Sequence, residues 1–141
     1  MKSRLWRLGV GVCIAWVVAT TTALATTYYV NDNSTNLDVY TSSAGNDSYA
    51  GTASNTPKAT LTSVLTNTLA AGDVIYIDTG TYGSGVVITQ SGAAGNPIRF
   101  VGSTNGTTFT GSGTIVSLTS ANYLWFTDIR AVGGDQGWRF Q

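Results

Sequence analysis

The sequence AGDVIYIDTGTY at residues 71–82, followed by GNPIRF at residues 95–100, decides the fold. In both stretches β-branched and aromatic residues alternate over a few positions, and Gly, Asp, Asn or Pro bounds each run. This is the pattern of short strands that are joined by tight turns. After Gly72 the same period of two continues towards the C-terminal residue, so the sequence predicts an all-β protein.

Alternation assigns one side of each predicted strand to the interior. The expected inward pairs are Ile75 and Ile77, Val86 and Ile88, Ile98 and Phe100, Val116 and Leu118, Leu124 and Phe126, and Ile129 and Ala131. Ile77, Phe100 and Leu124 follow one another at nearly equal intervals along the chain. A repeat of about two dozen positions is typical of solenoids, so we predict a parallel β-helix in which these three side chains stack in a row. An antiparallel sandwich of short strands remains the alternative, with Asn105-Gly106 as its one candidate hairpin turn.

One helical pattern follows residue 26. Its apolar residues recur at offsets of three and four, at Leu61, Val64, Leu65 and Leu69. Thr60 precedes the pattern as a candidate N-cap, and Gly72 lies beyond its end. Because an open solenoid end exposes backbone and apolar side chains, we expect this short helix to cap the N-terminal end of the β-helix.

The N-terminal segment 1–25 has the pattern of a secretory signal peptide. Three basic side chains precede an apolar run from Leu8 to Ala23, and Ala23 with Ala25 forms the small-residue pattern of a cleavage site. An uncleaved anchor is the alternative for this segment. We therefore expect a signal peptide at 1–25, a single domain at 26–141 that holds only the first coils of a longer solenoid, and a secreted, periplasmic or bacterial cell-surface location.

Composition excludes several classes of function. Residues 26–141 carry four basic side chains against seven Asp, a formal charge of −3, so no basic patch is available for nucleic acid or an anionic membrane. The chain has no His, and its single Cys, Cys13, lies in the leader. Ser-His-Asp and Cys-His catalysis and a zinc site are therefore excluded, and no cofactor is expected.

The segment 31–57 is dense in Asn, Asp, Ser, Thr and Gly, which favours turns closed by side-chain to backbone hydrogen bonds. A calcium site at Asp32, Asp38 and Asp47 is the alternative, although the spacing lacks the D-x-D-x-D-G pattern. Asp128 and Asp135 flank the Gly133-Gly134 turn. They are candidates for a carboxylate pair of the kind that hydrolyses glycosides, but turn formation is the favoured interpretation.

Several motifs, in order, resemble the N-terminal region of secreted bacterial proteins of the pectate-lyase-like superfamily. They are Tyr28-Tyr29-Val30, Gly45-Asn46-Asp47-Ser48, Gly51-Thr52, Pro57-Lys58-Ala59-Thr60-Leu61, residues 71–77, Gly80-Thr81-Tyr82 and Gly95-Asn96-Pro97-Ile98. The strand Tyr123-Leu124-Trp125-Phe126 with Ile129 is similar to the start of alginate lyases and chondroitinase-B-type lyases. The resemblance implies a right-handed parallel β-helix and a polysaccharide lyase-like parent protein, with calcium possible in the full-length parent. The basic residues that carry the lyase chemistry lie on later coils in that family, so no catalytic residue is transferred to this chain.

Three residues remain as candidates for substrate binding. Alternation places Tyr123, Trp125 and Arg130 outward, and an exposed Trp near an Arg can stack on a sugar ring and pair with its carboxylate. Packing of Trp125 under a loop or a further coil is the alternative. The sequence thus predicts a protein that binds or acts on extracellular polysaccharide, and a non-enzymatic surface or adhesion solenoid is the second hypothesis.

Overall fold

The computed structural model describes residues 24–141. The predicted leader lies outside this range, apart from Leu24 and Ala25. This part of the chain forms ten strands and one helix, in the order β1 (Thr27–Val30), α1 (Leu61–Leu65), β2 (Val74–Ile77), β3 (Gly80–Gly83), β4 (Val86–Ile88), β5 (Ile98–Gly102), β6 (Thr107–Gly111), β7 (Thr114–Leu118), β8 (Leu124–Thr127), β9 (Ile129–Gly133) and β10 (Gln136–Phe140). Among residues 24–141 no helix is long and apolar enough to cross a membrane.

The strands form three sheets, and successive passes of the chain add one strand to each. Sheet A has the order β1-β2-β5-β8, sheet B the order β3-β6-β9, and sheet C the order β4-β7-β10. Every pairing between these strands is parallel. The predicted all-β class is confirmed, the arrangement is consistent with a β-solenoid, and the antiparallel sandwich is wrong. Asn105-Gly106 lies in the turn between β5 and β6, which belong to different sheets.

The core lies between the three sheets. Its fully buried side chains include Ile75 and Phe100 of sheet A, Phe109 of sheet B and Ile88 of sheet C. The rings of Phe100 and Phe126 stack with centroids 4.8 Å apart, and Phe126 meets Trp138 edge to face at 5.0 Å. Aromatic contacts of this kind add to the burial of apolar surface, which is the main stabilising term of the fold.

The predicted stacking row was wrong in its register. Ile75 pairs with Phe100 and Phe100 with Phe126, whereas Leu124 pairs with Ile98 and Ile77 with Gly102. Each coil along this row is therefore slightly longer than the spacing of Ile77, Phe100 and Leu124 had indicated. The side chains still point inward as expected, because a shift by two positions keeps the same face of a strand.

The helix is shorter than its apolar pattern suggested. It begins after Thr60, whose hydroxyl accepts a hydrogen bond from Ser63 N as predicted for the N-cap, and it ends at Leu65. Leu61 and Val64 are buried in the core, and Leu69 is buried although it lies beyond the helix. The helix contacts β1 and β4, at the β1 end of the molecule.

Candidate binding face on sheet A

The outer face of sheet A carries two rows of side chains, each set by strand register. Thr27, Val74, Arg99 and Trp125 form one row, and Tyr29, Tyr76, Val101 and Thr127 form the other. Neighbouring strands of a sheet lie about 4.8 Å apart, so adjacent members of a row are close neighbours. The two rows define the surface that we call the sheet A face.

The sheet A face ends in an exposed cation beside an exposed indole. Arg99 is exposed, Trp125 is 58% exposed, and the two are register partners on β5 and β8. Together with the half-buried Val101 and Thr127 they line a shallow cleft of about 210 Å³. An aromatic surface, a guanidinium and a hydroxyl therefore meet at one open site.

The other end of the face is a cluster of tyrosines. The rings of Tyr29 and Tyr76 stack at 5.8 Å, and Tyr40 from the 31–57 segment lies on Tyr76 at 4.6 Å. The Tyr40 hydroxyl donates a 3.2 Å hydrogen bond to the carbonyl of Gly102. The pKa of Tyr40 is raised, mainly by burial. The neighbouring Tyr76 and then the negative charges of Asp128 and Asp78 are smaller causes in the same direction. Tyr40 is therefore a neutral phenol, which this hydrogen bond requires.

Asp78 holds Tyr40 in place. This fully buried carboxylate follows β2 and accepts hydrogen bonds of 2.7–2.9 Å from the backbone N–H groups of Val39, Tyr40, Thr41 and Thr79 and from the Thr41 hydroxyl. Burial alone would raise the pKa of Asp78, but the donated hydrogen bonds outweigh it and lower the pKa. The ionised carboxylate thus fastens the 31–57 segment beside the sheet A face.

The three residues predicted for binding are not all brought together. Trp125 is on the sheet A face, exposed and not covered by a loop. Tyr123, 57% exposed, lies just before β8 with a φ of 53°, and its carbonyl accepts from Ile98 N. Arg130 lies on β9 in sheet B, where it pairs with Thr108. The basic neighbour of Trp125 is Arg99, which sequence reasoning missed, although its place between the inward Ile98 and Phe100 marked it as outward.

The carboxylates that the sequence offered as catalytic or calcium-binding candidates lie in bends or accept hydrogen bonds within the fold. Asp128 and Asp135 lie in bends at two different corners, between β8 and β9 and between β9 and β10, which confirms the turn interpretation. Asp47 accepts from Ala59 N, Thr60 N and the Thr60 hydroxyl, and Asn46 closes the predicted Asx turn by accepting from Ser48 N. Within residues 24–141 there is no group of three or more His, Cys, Asp or Glu side chains that could hold a metal ion.

Lys58, the only lysine after residue 26, is held by the backbone. Its ammonium group donates to the carbonyls of Asp47 and Tyr49 at 2.9 and 2.7 Å. These contacts give Lys58 a structural role in the 31–57 segment. The sheet A face therefore offers stacking and charge pairing to a ligand, and Lys58 is already used within the fold.

No protein-family model matches the chain, and no curated protein has a significantly similar sequence.

Proposed function

We propose that the chain forms the coils of a secreted right-handed parallel β-helix of the pectate-lyase-like type, capped by α1, and that it binds extracellular polysaccharide through the sheet A face. The motif order along residues 28–126 supports the type of fold, and the three parallel sheets are compatible with it. The pairing of Arg99 with Trp125 on an exposed part of the face is the observation that carries the function.

The Arg99–Trp125 site suits a sugar that carries a carboxylate. The flat apolar side of a pyranose ring can pack on the indole of Trp125, and the guanidinium of Arg99 can form two parallel hydrogen bonds with a carboxylate of the same sugar. Thr127, half-buried on the same cleft, supplies a hydroxyl for the sugar hydroxyls.

The contacts on the sheet A face support binding, and no catalytic role is assigned to its residues. Removal of a proton next to a uronate carboxylate requires a base within hydrogen-bonding reach of that proton. Arg99 is assigned to pairing with the carboxylate, and the one lysine of this part of the chain donates to two backbone carbonyls. A non-enzymatic surface solenoid, the second hypothesis, would use the same kind of polysaccharide binding.

Affinity electrophoresis or calorimetry with alginate, pectate and chondroitin tests the proposal, with neutral dextran as the comparison polymer. Trp125→Ala should weaken binding to an acidic polymer about 5- to 10-fold, which corresponds to ~1–1.4 kcal/mol for a lost aromatic contact. Phe140→Ala is the matched control, because Phe140 is 75% exposed but lies on β10 in sheet C. When the protein is incubated with these acidic polymers, we also expect no rise in the absorbance of unsaturated uronate, the product of lyase cleavage. Equal binding by wild type and Trp125→Ala, or no binding to any acidic polymer, would contradict the proposal.

A further inference from the structure

Two buried oxygen atoms in the 31–57 segment have no hydrogen-bond donor. They are Oδ1 of Asn31, a residue with no exposed surface, and Oδ1 of Asp38. An acceptor that is buried without a partner gives up its hydrogen bonds to water and gains none in return. Two such atoms on neighbouring side chains therefore require an explanation.

The amide orientation of Asn31 is determined by its surroundings. Its Nδ2 lies 2.9 Å from the carbonyls of Ser34 and Ser43 and 2.6 Å from Oδ2 of Asp38, so three acceptors surround it. Exchange of the amide nitrogen and oxygen would place an oxygen among those three acceptors. The unpaired atom of Asn31 is therefore its carbonyl oxygen, and what it lacks is a donor.

We infer that Asp38 is a protonated carboxylic acid whose Oδ1–H donates to Oδ1 of Asn31. The amide of Asn31 already donates to Oδ2 of the same carboxyl group, so the added hydrogen bond closes a ring between the two planar groups. One proton, taken up from solvent and retained on Asp38, supplies a partner for both unpaired atoms. No other polar contact in the segment has to change.

The charges around Asp38 favour this proton. Asp78 and Asp32 are the charged groups that act on it, and Tyr82 is a further titratable neighbour. Burial is the largest cause that raises the pKa of Asp38, and the two carboxylates raise it further. The hydrogen bonds from Asn31 and Thr41 act in the opposite direction without reversing the shift.

A cation fits the same two atoms less well. Calcium takes six to eight oxygen ligands. Both carboxylate oxygens of Asp78 accept N–H groups, and those of Asp32 accept from Ser34 N and Thr81 N. Only the two unpaired oxygens would be left as side-chain ligands from these residues.

The protonated carboxyl group joins the start of the segment to the part that reaches the sheet A face. Asn31 follows β1, whereas Asp38 immediately precedes Val39–Thr41, the residues fastened by Asp78. Loss of the proton leaves a carboxylate oxygen facing the Asn31 carbonyl, and the segment is loosened. This inference stands independently of polysaccharide binding.

Asp38→Asn tests the inference, because a carboxamide presents one acceptor and one donor to Asn31 at every pH, as the protonated acid does. A raised pKa in the folded state contributes stability below the unfolded value of about 4 and loses that contribution as pH rises through the folded value. We therefore expect equal melting temperatures for variant and wild type near pH 4, and a higher melting temperature for the variant at pH 7.5. Asp135→Asn, an exposed Asp with the same chemical change, should show no such difference.

The carboxyl ¹³C resonance of Asp38 in the wild-type protein, followed by NMR against pH, reads the protonation state directly. A midpoint above that of Asp135 supports the inference. A midpoint at or below it, or an Asp38→Asn variant that is less stable than wild type at pH 7.5, overturns it. Millimolar Ca²⁺ provides a further test. If it raises the melting temperature of wild type but not of Asp38→Asn, a bound cation and not a proton explains the two oxygens, and the inference is overturned.

Discussion

Asp78→Asn is the substitution that most directly tests how the 31–57 segment is attached. Oδ1 of Asp78 accepts the N–H groups of Val39 and Thr79, and Oδ2 accepts those of Tyr40 and Thr41. A carboxamide has one oxygen, so either orientation turns its NH₂ group towards two backbone N–H groups. Each stranded N–H costs about 1–3 kcal/mol, so we expect a loss of about 2–6 kcal/mol in the free energy of unfolding.

Denaturant titration followed by circular dichroism gives this free energy, and amide hydrogen exchange locates the change. Protection should fall at Val39, Tyr40 and Thr41 in the variant, while the amides of β5 keep theirs. Asp135→Asn is the control, since this exposed carboxylate should change stability by no more than about 0.5 kcal/mol. A loss below about 1 kcal/mol for Asp78→Asn, with unchanged exchange at the three amides, would refute the reasoning.

Two further results are expected. Gly102→Ala should lower the melting temperature markedly, because the added Cβ would collide with the carbonyl oxygen of Asp128 on the next coil. Gly83→Ala is the control and should be tolerated, because its Cβ would meet no atom within 4 Å. Similar melting temperatures for the two variants would contradict this packing. The free energy of unfolding should also fall in acid. Burial is the largest effect on Asp78 and Asp47 and raises the pKa of each, but hydrogen bonds outweigh it and lower the pKa. The stability that the two ionised carboxylates contribute is therefore present above pH ~4 and is lost as pH falls through the lowered pKa values. Thermal melts from pH 2 to 6 measure this, and a flat profile would show that these carboxylates do not support the fold.

The inward pairs of β2, β4, β5, β8 and β9 could be predicted because they follow from local alternation. The buried Tyr82 of β3, Phe109 of β6 and Ile115 of β7 were missed. Register could not be predicted, since Leu124 and Phe126 occupy the same face of β8 and either one satisfies a period of two. The length of the turns between coils decides which of the two residues stands opposite Phe100, and the apolar pattern does not contain that length. The N-cap at Thr60 was predicted because it is a local interaction, whereas the early end of α1 at Leu65 depends on tertiary packing.

The candidate site was only partly predictable for the same reason. Trp125 could be placed outward from its own strand, but its basic neighbour depends on which residue of β5 stands opposite. Register selects Arg99, one coil earlier, and Arg130, which is nearer in sequence, belongs to another sheet. The contacts of Asp78 with residues 39–41, and of Asn31 with Asp38, join positions that no periodic pattern connects.

The long segment between β1 and β2 has a consequence for the order of assembly. Pairing Val30 with Ile77 closes a span of chain nearly twice as long as the span closed by pairing Ile75 with Phe100. The longer closure costs about 0.6 kcal/mol more in chain entropy. In addition, the backbone N–H groups of residues 39–41 must bond to Asp78 before the segment is ordered. Nucleation should therefore begin among β2 to β7, with β1 docking afterwards, and the same strand should be the first to detach when the protein is pulled from its N-terminal side.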